Sequence, residues 1–191
     1  MPSIRATQLK SELAALEDLG AEVRDRVLEL LPPDYVSSAA EASRLDWIPV
    51  PTLMRLLRAV RQVTDEEALR AWARAATNLS LETPLFRPIL SGAVAIYGRD
   101  PQKIYKVIPT AWNAAMKDCG ELKVDIGTPG VVVLDLRGAP EAARDRDFLV
   151  ATAGAFEVVF DECRVDGRCD LEHRVPGDVP RFRARWRPRG S

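Results

Sequence analysis

The first half of the chain repeats hydrophobic residues at the three- and four-residue spacing of amphipathic helices. The first apolar face consists of Leu9, Leu13, Leu16 and Leu19. Gly20 interrupts this face, and the pattern resumes in a second helix that ends before Pro32-Pro33. Further along, the pattern predicts a helix over about 51–63, and the capping box of Thr64 and Glu67 predicts the start of another.

Two further helices are predicted between Thr83 and Gly120. Thr83-Pro84 has the form of an N-cap followed by proline at the first helical position. The helix over 84–97 is apolar on most of its surface, so we expect it to be the central, buried helix. Asp100-Pro101 starts the next helix, and Pro109 should kink or split it.

After Gly120 the pattern changes to the two-residue alternation of strands. Segments 121–126 and 131–136 flank turn residues and predict a hairpin, 140–162 predicts a long helix, and 169–175 and 181–187 predict two more strands. The predicted fold class is therefore α+β, with an N-terminal helical layer packed on a C-terminal ββαββ four-stranded antiparallel sheet. We assign 1–44 to an N-terminal helical extension and 45–191 to a single compact α+β domain.

The last predicted strand carries a stripe of positive charge. Phe182, Ala184 and Trp186 should face the core. The other face of the strand, here named the arginine stripe, carries Arg181, Arg183, Arg185 and Arg187. Such a stripe protects an exposed face or edge of a sheet, or it serves as an electrostatic platform for a partner.

The composition excludes several classes of protein. The chain has 27 Lys and Arg against 28 Asp and Glu, and the net charge of −1 argues against a dedicated nucleic-acid binder. The apolar stretches are too short to span a bilayer, and Met1 to Arg5 lack the apolar segment of a secretory signal, so we expect a cytoplasmic protein without membrane insertion.

The residues of catalysis and metal binding are sparse. His173 is the single histidine, and Cys119, Cys163 and Cys169 are spaced unlike a zinc site, so we expect no metal and no cofactor. No phosphate-binding glycine motif and no nucleophile elbow is present. We therefore predict a protein that is not an enzyme; the alternative is an enzyme that uses a carboxylate pair or Cys119.

The order of these motifs resembles that of a known group of proteins. The motifs are the entry Leu45-Asp46-Trp47-Ile48-Pro49-Val50, the segment from Ser80 to Gly98, and Ile108-Pro109-Thr110-Ala111-Trp112 leading to Gly120. From Leu45 onward the chain resembles an uncharacterised paralogous family best known from myxobacteria. More distantly it is similar to 4-vinyl-reductase-like domains and to the ligand-binding fold of NO signalling and Golgi transport. The histidine that ligates haem in the NO sensors has no counterpart in the helical half.

This resemblance implies a sensory or regulatory module with an apolar pocket between the helices and the sheet. Four aromatic residues are candidates to line it, although each would also suit an ordinary core: Trp47, Phe86, Trp112 and Phe156. The expected partner is a small apolar ligand, another protein or a second copy of the chain. Self-association would use the exposed faces of the helices from Leu9 to Leu31, which could equally pack on their own domain.

Overall fold

Two antiparallel sheets and a set of mostly short helices make up the fold, which the computed structural model describes for residues 1–172 and 178–188. The helices are α1 (Ala6–Ala14), α2 (Ala21–Glu29), α3 (Tyr35–Glu41), α4 (Val50–Val63), α5 (Glu66–Leu81), α6 (Arg87–Tyr97), α7 (Pro101–Ile104), α8 (Ile108–Ala115), α9 (Arg146–Phe156) and α10 (Val158–Cys163). The strands are β1 (Ser3–Arg5), β2 (Trp47–Pro49), β3 (Met116–Lys117), β4 (Glu121–Asp125), β5 (Val131–Arg137), β6 (Val165–Glu172) and β7 (Arg181–Pro188). Among the described residues, every helix is too short or too polar to cross a bilayer.

The larger sheet has four antiparallel strands in the order β4-β5-β7-β6. Helices α9 and α10 lie between β5 and β6 in the chain, which confirms the α+β class and the ββαββ order. In the ladder, Phe182 lies opposite Leu134 on one side and Leu171 on the other. His173 and the end of the strand predicted over 169–175 fall outside the described residues.

Strand β7 shows the predicted alternation of buried and exposed residues. Phe182 and Ala184 have no exposed surface, and Trp186 is half-buried against the core. However, β7 lies between β5 and β6, so both of its edges already take part in ladder hydrogen bonds. The prediction that the arginine stripe protects a sheet edge is therefore wrong, whereas protection of an exposed face stays a prediction.

A second, three-stranded sheet joins the start of the chain to its middle, in the order β2-β1-β3. Ile4 is fully buried and lies opposite Ile48 and Met116. The sequence did not predict this sheet, because strands of two or three residues are too short to show an alternating pattern. It pairs residues on the two sides of the predicted boundary between 44 and 45.

Helix α9 occupies the centre of the helical layer. Eight of its residues are buried, from Phe148 to Phe156. The prediction gave this place to the helix over 84–97, and it is wrong: Ala93 is the buried residue of α6, while Ile96 is 75% exposed. Both helices are apolar, and composition alone does not determine which of two apolar helices the others surround.

Close contact between α5 and α9 depends on a glycine. A Cβ atom on Gly154 would lie 2.2 Å from the main-chain oxygen of Arg70, well inside van der Waals contact. Only a residue without a side chain lets the two helices approach this closely. Glycine at this position therefore permits the short distance between α5 and α9.

A buried ion pair connects the helical layer to the sheet. Arg70 on α5 lies 3.0 Å from the carboxylate of Glu157, which follows α9, and the two side chains are 7% and 6% exposed. The same carboxylate accepts the main-chain N–H of Cys169 on β6 at 2.9 Å, and Arg70 donates to the carbonyl of Cys169. Buried charges that are paired and hydrogen-bonded in this way hold α5, α9 and β6 in one geometry.

Several helices begin or end at other residues than predicted. The single long helix predicted over 140–162 is wrong, because this segment forms α9, which begins only at Arg146, and the separate helix α10. Asp65, rather than Thr64, caps α5 by accepting the N–H of Ala68 at 2.7 Å. Helix α6 begins at Arg87 rather than at Pro84. The prediction at Pro109 is confirmed, since a 3₁₀ turn separates α7 from α8 just before this residue.

Candidate ligand pocket

A pocket of about 110 Å³ lies between α1, α5, α8 and α9. Its walls are mostly apolar. They consist of Gln8, Thr77, Ser80, Leu81, Phe86, Ile108, Ala111, Trp112, Ala115, Met116, Thr152, Ala155, Phe156 and Val158. A space of about 40 Å³ adjoins it beneath α6, and the two share lining residues such as Phe86 and Ala111. Apolar pockets of this kind are the usual form of small-molecule sites, although this one is smaller than the roughly 300 Å³ at which such sites usually begin.

The structure brings three of the four predicted aromatic residues to this pocket. Phe86, Trp112 and Phe156 line it, and each is at most 5% exposed. Trp47 lies elsewhere, on β2, where the guanidinium of Arg5 stacks 3.7 Å from the centre of its ring. Trp47 is therefore a partner of the smaller sheet rather than part of the pocket wall.

The aromatic walls are fixed by contacts outside the pocket. The indole N–H of Trp112 donates to the carbonyl of Gly120 at 3.0 Å, so the ring has one preferred orientation. The ring of Phe156 packs edge-to-face on Phe182 of β7, with centroids 5.1 Å apart. The hydroxyl of Tyr105 donates to the carbonyl of Phe156 at 2.9 Å. These contacts pre-organise the pocket.

A chain of polar side chains leads from the pocket into the core. Ser80 donates to the side-chain oxygen of Gln8 at 3.2 Å, and the amide nitrogen of Gln8 donates to Glu12 at 3.2 Å. Glu12 is buried, and its Oε2 makes no hydrogen bond within the described part of the chain. Burial raises the pKa of Glu12 to about 8, with the Gln8 hydrogen bond acting in the opposite direction. At neutral pH this end of the pocket is therefore polar and mostly uncharged.

Sequence reasoning missed the polar members of the wall: Gln8, Thr77, Ser80 and Thr152. A usable signal existed for Thr152, because it is the only hydroxyl residue in the otherwise apolar segment from Phe148 to Phe156. Gln8 offered no signal, since polar residues are expected on an amphipathic helix. Its burial follows from the packing of α1 on α5.

The three thiols are poor nucleophiles. Burial raises the pKa of Cys119 to about 11 and that of Cys163 to about 11, and it also raises the pKa of Cys169. A thiolate is the reactive form, so these groups are largely inert at neutral pH. Within residues 1–172 and 178–188, no cluster of three His, Cys, Asp or Glu side chains is arranged to hold a metal ion.

The arginine stripe faces carboxylates on its own sheet. Arg181 binds Asp135 at 2.7 Å and Arg183 binds Glu172 at 2.7 Å. Arg185 pairs with Asp170 at 2.5 Å, and Arg187 lies opposite Asp166 in the ladder. The positive charge of the stripe is thus balanced across neighbouring strands.

The fold is shared with H-NOX structures, whereas no protein-family model and no curated protein sequence matches the chain. An Fe(II) unliganded H-NOX protein from K. algicida superposes with a TM-score of 0.66 at 14% identity, covering 98% of this chain and 99% of that one. An oxygen-binding H-NOX domain related to soluble guanylate cyclases gives a TM-score of 0.62 at 13% identity, covering 96% and 95%. A third structure, described by the modulation of haem redox potential through porphyrin distortion, gives 0.62 at 13% identity, covering 96% and 99%.

The pocket does not fit the haem that this fold family implies. Haem iron is held by His, Cys, Met or Tyr side chains, and of these only Met116 is among the lining residues, all of which belong to the described ranges. The volume of about 110 Å³ is also well below the roughly 300 Å³ at which pockets for larger ligands begin. The chain thus shares the H-NOX fold, but the residues that line its pocket do not fit a haem.

Proposed function

We propose that the protein is a non-enzymatic, sensory-type module that binds a small apolar molecule in the pocket between α1, α5, α8 and α9. The observation that carries the proposal is the apolar pocket of about 110 Å³, walled by Phe86, Trp112 and Phe156. A well-packed core has few voids larger than a water molecule, so an apolar space of this size is a candidate binding site.

The shared fold and the chemistry of the protein's own side chains support the same proposal. H-NOX structures, which share the fold, include one described as an oxygen-binding domain. The protein's own groups do not favour catalysis. Burial raises the pKa values of the thiols, and Glu12, whose pKa is raised to about 8, lies behind Gln8 rather than in the wall.

Toluene is a suitable probe, because it is apolar and close to the pocket in size. We expect toluene to raise the melting temperature of the wild-type protein by mass action and to give a saturable binding heat. Ala111→Leu places a larger side chain in the wall that both spaces share, so it should abolish the effect. Ala71→Leu is the matched control, since Ala71 is exposed on α5 and does not line the pocket.

The two variants separate the possible outcomes. Binding to the wild type and to Ala71→Leu, but not to Ala111→Leu, would support the pocket as the binding site. Saturable binding that survives Ala111→Leu would place the ligand elsewhere. A wild type that binds neither toluene nor other uncharged ring-sized molecules such as phenol would refute the proposal.

A further inference from the structure

The pocket is the size of one aromatic ring. Engineered apolar cavities of about 150 Å³ remain dry and bind benzene, and the present volume of about 110 Å³ is close to this value. The rings of Trp112 and Phe156 lie 6.5 Å apart at 54°, which offers both an edge and a face to a planar guest. Size and wall chemistry therefore limit the ligand to a compact molecule of about six to eight heavy atoms.

Two threonine hydroxyls in the wall have already donated their hydrogens. The hydroxyl of Thr77 donates to the carbonyl of Ala73 at 2.8 Å, and that of Thr152 donates to Phe148 at 2.8 Å. A hydroxyl has one hydrogen and two lone pairs, so each oxygen keeps the capacity to accept a hydrogen bond. Ser80 has likewise donated its hydrogen to Gln8. Three hydroxyl oxygens among the residues of this mostly apolar wall thus keep the capacity to accept a hydrogen bond.

Donors in the wall are few by comparison. The indole N–H of Trp112 is used by Gly120, and one hydrogen of the Gln8 amide is used by Glu12, which leaves the second amide hydrogen. Among the lining residues, which all lie in the described ranges, there is no Lys, Arg or His. An anion would meet oxygen lone pairs and the nearby Glu12 carboxyl without a compensating positive charge.

We infer that the pocket selects an uncharged, ring-sized molecule with one hydroxyl group, whose hydrogen is accepted by Thr77 or Thr152. This inference rests on the proposed function and specifies its ligand class. A hydroxyl fits the wall because it donates to a threonine oxygen and accepts from the Gln8 amide, whereas a purely apolar guest leaves these groups unused. Selection between ligands of equal shape then depends on this single hydrogen-bonding group.

Phenol, toluene and benzoate test this inference by titration calorimetry at pH 7. Phenol and toluene are nearly equal in size, and phenol is uncharged at this pH because phenolic pKa values are about 10. In a pocket without a partner for the hydroxyl, phenol should bind roughly ten- to a hundredfold more weakly than toluene. We expect phenol to bind at least as tightly as toluene, and benzoate at least tenfold more weakly than phenol.

The double variant Thr77→Val with Thr152→Val removes both acceptors at nearly constant shape. It should weaken phenol binding at least tenfold while toluene binding, which reports an intact pocket, stays within about twofold. If this variant loses toluene binding as well, the single variants Thr77→Val and Thr152→Val supply the same comparison.

Each outcome is decisive for one of the two proposals. Toluene binding at least tenfold more tightly than phenol to the wild type, or benzoate binding as tightly as phenol, would overturn the hydroxyl inference and leave the proposed function standing. The hydroxyl inference would also be overturned if every threonine variant with weakened binding lost affinity for phenol and for toluene to the same extent. Failure of all three probes to bind the wild type would instead refute the proposed function.

Discussion

Replacing Glu12 by glutamine should make the protein more stable, and the gain should grow with pH. Glu12 lies in the core, where burial raises the pKa of its carboxyl from 4.5 to about 8. A carboxyl with a raised pKa contributes its full stability below the unfolded-state value and loses it as the pH rises toward the folded-state value. The difference between a pKa of 4.5 in the unfolded chain and about 8 in the folded protein lowers the free energy of unfolding by about 5 kcal/mol once the pH has passed both values, at about 1.4 kcal/mol per pH unit.

Glutamine has nearly the same shape but does not ionise, so it removes this pH dependence. It keeps an oxygen that can accept the hydrogen bond from Gln8. Any constant cost of the second, unpaired atom is the same at every pH and cancels when two pH values are compared. The free energy of unfolding of Glu12→Gln relative to wild type should therefore increase by about 3 kcal/mol between pH 4 and pH 7.

Urea denaturation followed by circular dichroism, at half-unit steps between pH 4 and pH 8, measures this difference. Glu22→Gln is the control, because Glu22 is exposed on α2 and its carboxylate stays in water in both states. A difference between Glu12→Gln and wild type that is flat with pH would show that Glu12 ionises freely in the folded protein. The assignment of a neutral polar end to the pocket would then be wrong.

Three further variants test the packing of the helices on the sheet by urea denaturation. Gly154→Ala should lower the free energy of unfolding by at least about 2 kcal/mol, because its Cβ would lie 2.2 Å from the carbonyl oxygen of Arg70. Gly92→Ala is the control and should be nearly neutral, because a Cβ there meets nothing within 4 Å. Equal effects of the two substitutions would contradict the close approach of α5 and α9. Glu157→Ala should cost about 3–5 kcal/mol, because it leaves a buried guanidinium without its carboxylate; a loss below about 1 kcal/mol would show that the pair is solvated. Arg183→Ala should change stability by less than about 1 kcal/mol, because its ion pair is partly exposed; a large loss would mean that the arginine stripe has a structural role.

Much of the pocket could not be predicted because its members are distant in the chain. Phe86, Trp112 and Phe156 were suggested by a resemblance in layout, and the structure places them around one space. Trp47 had the same aromatic character, but it stacks with Arg5 in a sheet made of strands too short to predict. Gln8, which also lines the pocket, is 69 positions from Thr77 in the chain and gave no local signal. Tertiary packing decides which residues line the pocket.

The sequence by itself determined the order of strands and helical segments in the second half, because the period of hydrophobic residues is a local property. It predicted the hairpin of β4 and β5, the two faces of β7 and the α+β class. Only the tertiary structure decided that β7 is a central strand, that α9 rather than α6 is buried, and that a pocket remains between α1, α5, α8 and α9. The physical reason is that apolar residues specify burial but not the neighbour against which they are buried. Close contacts such as that of Gly154 with Arg70 select one arrangement among many, and the space left over in that arrangement is the candidate site.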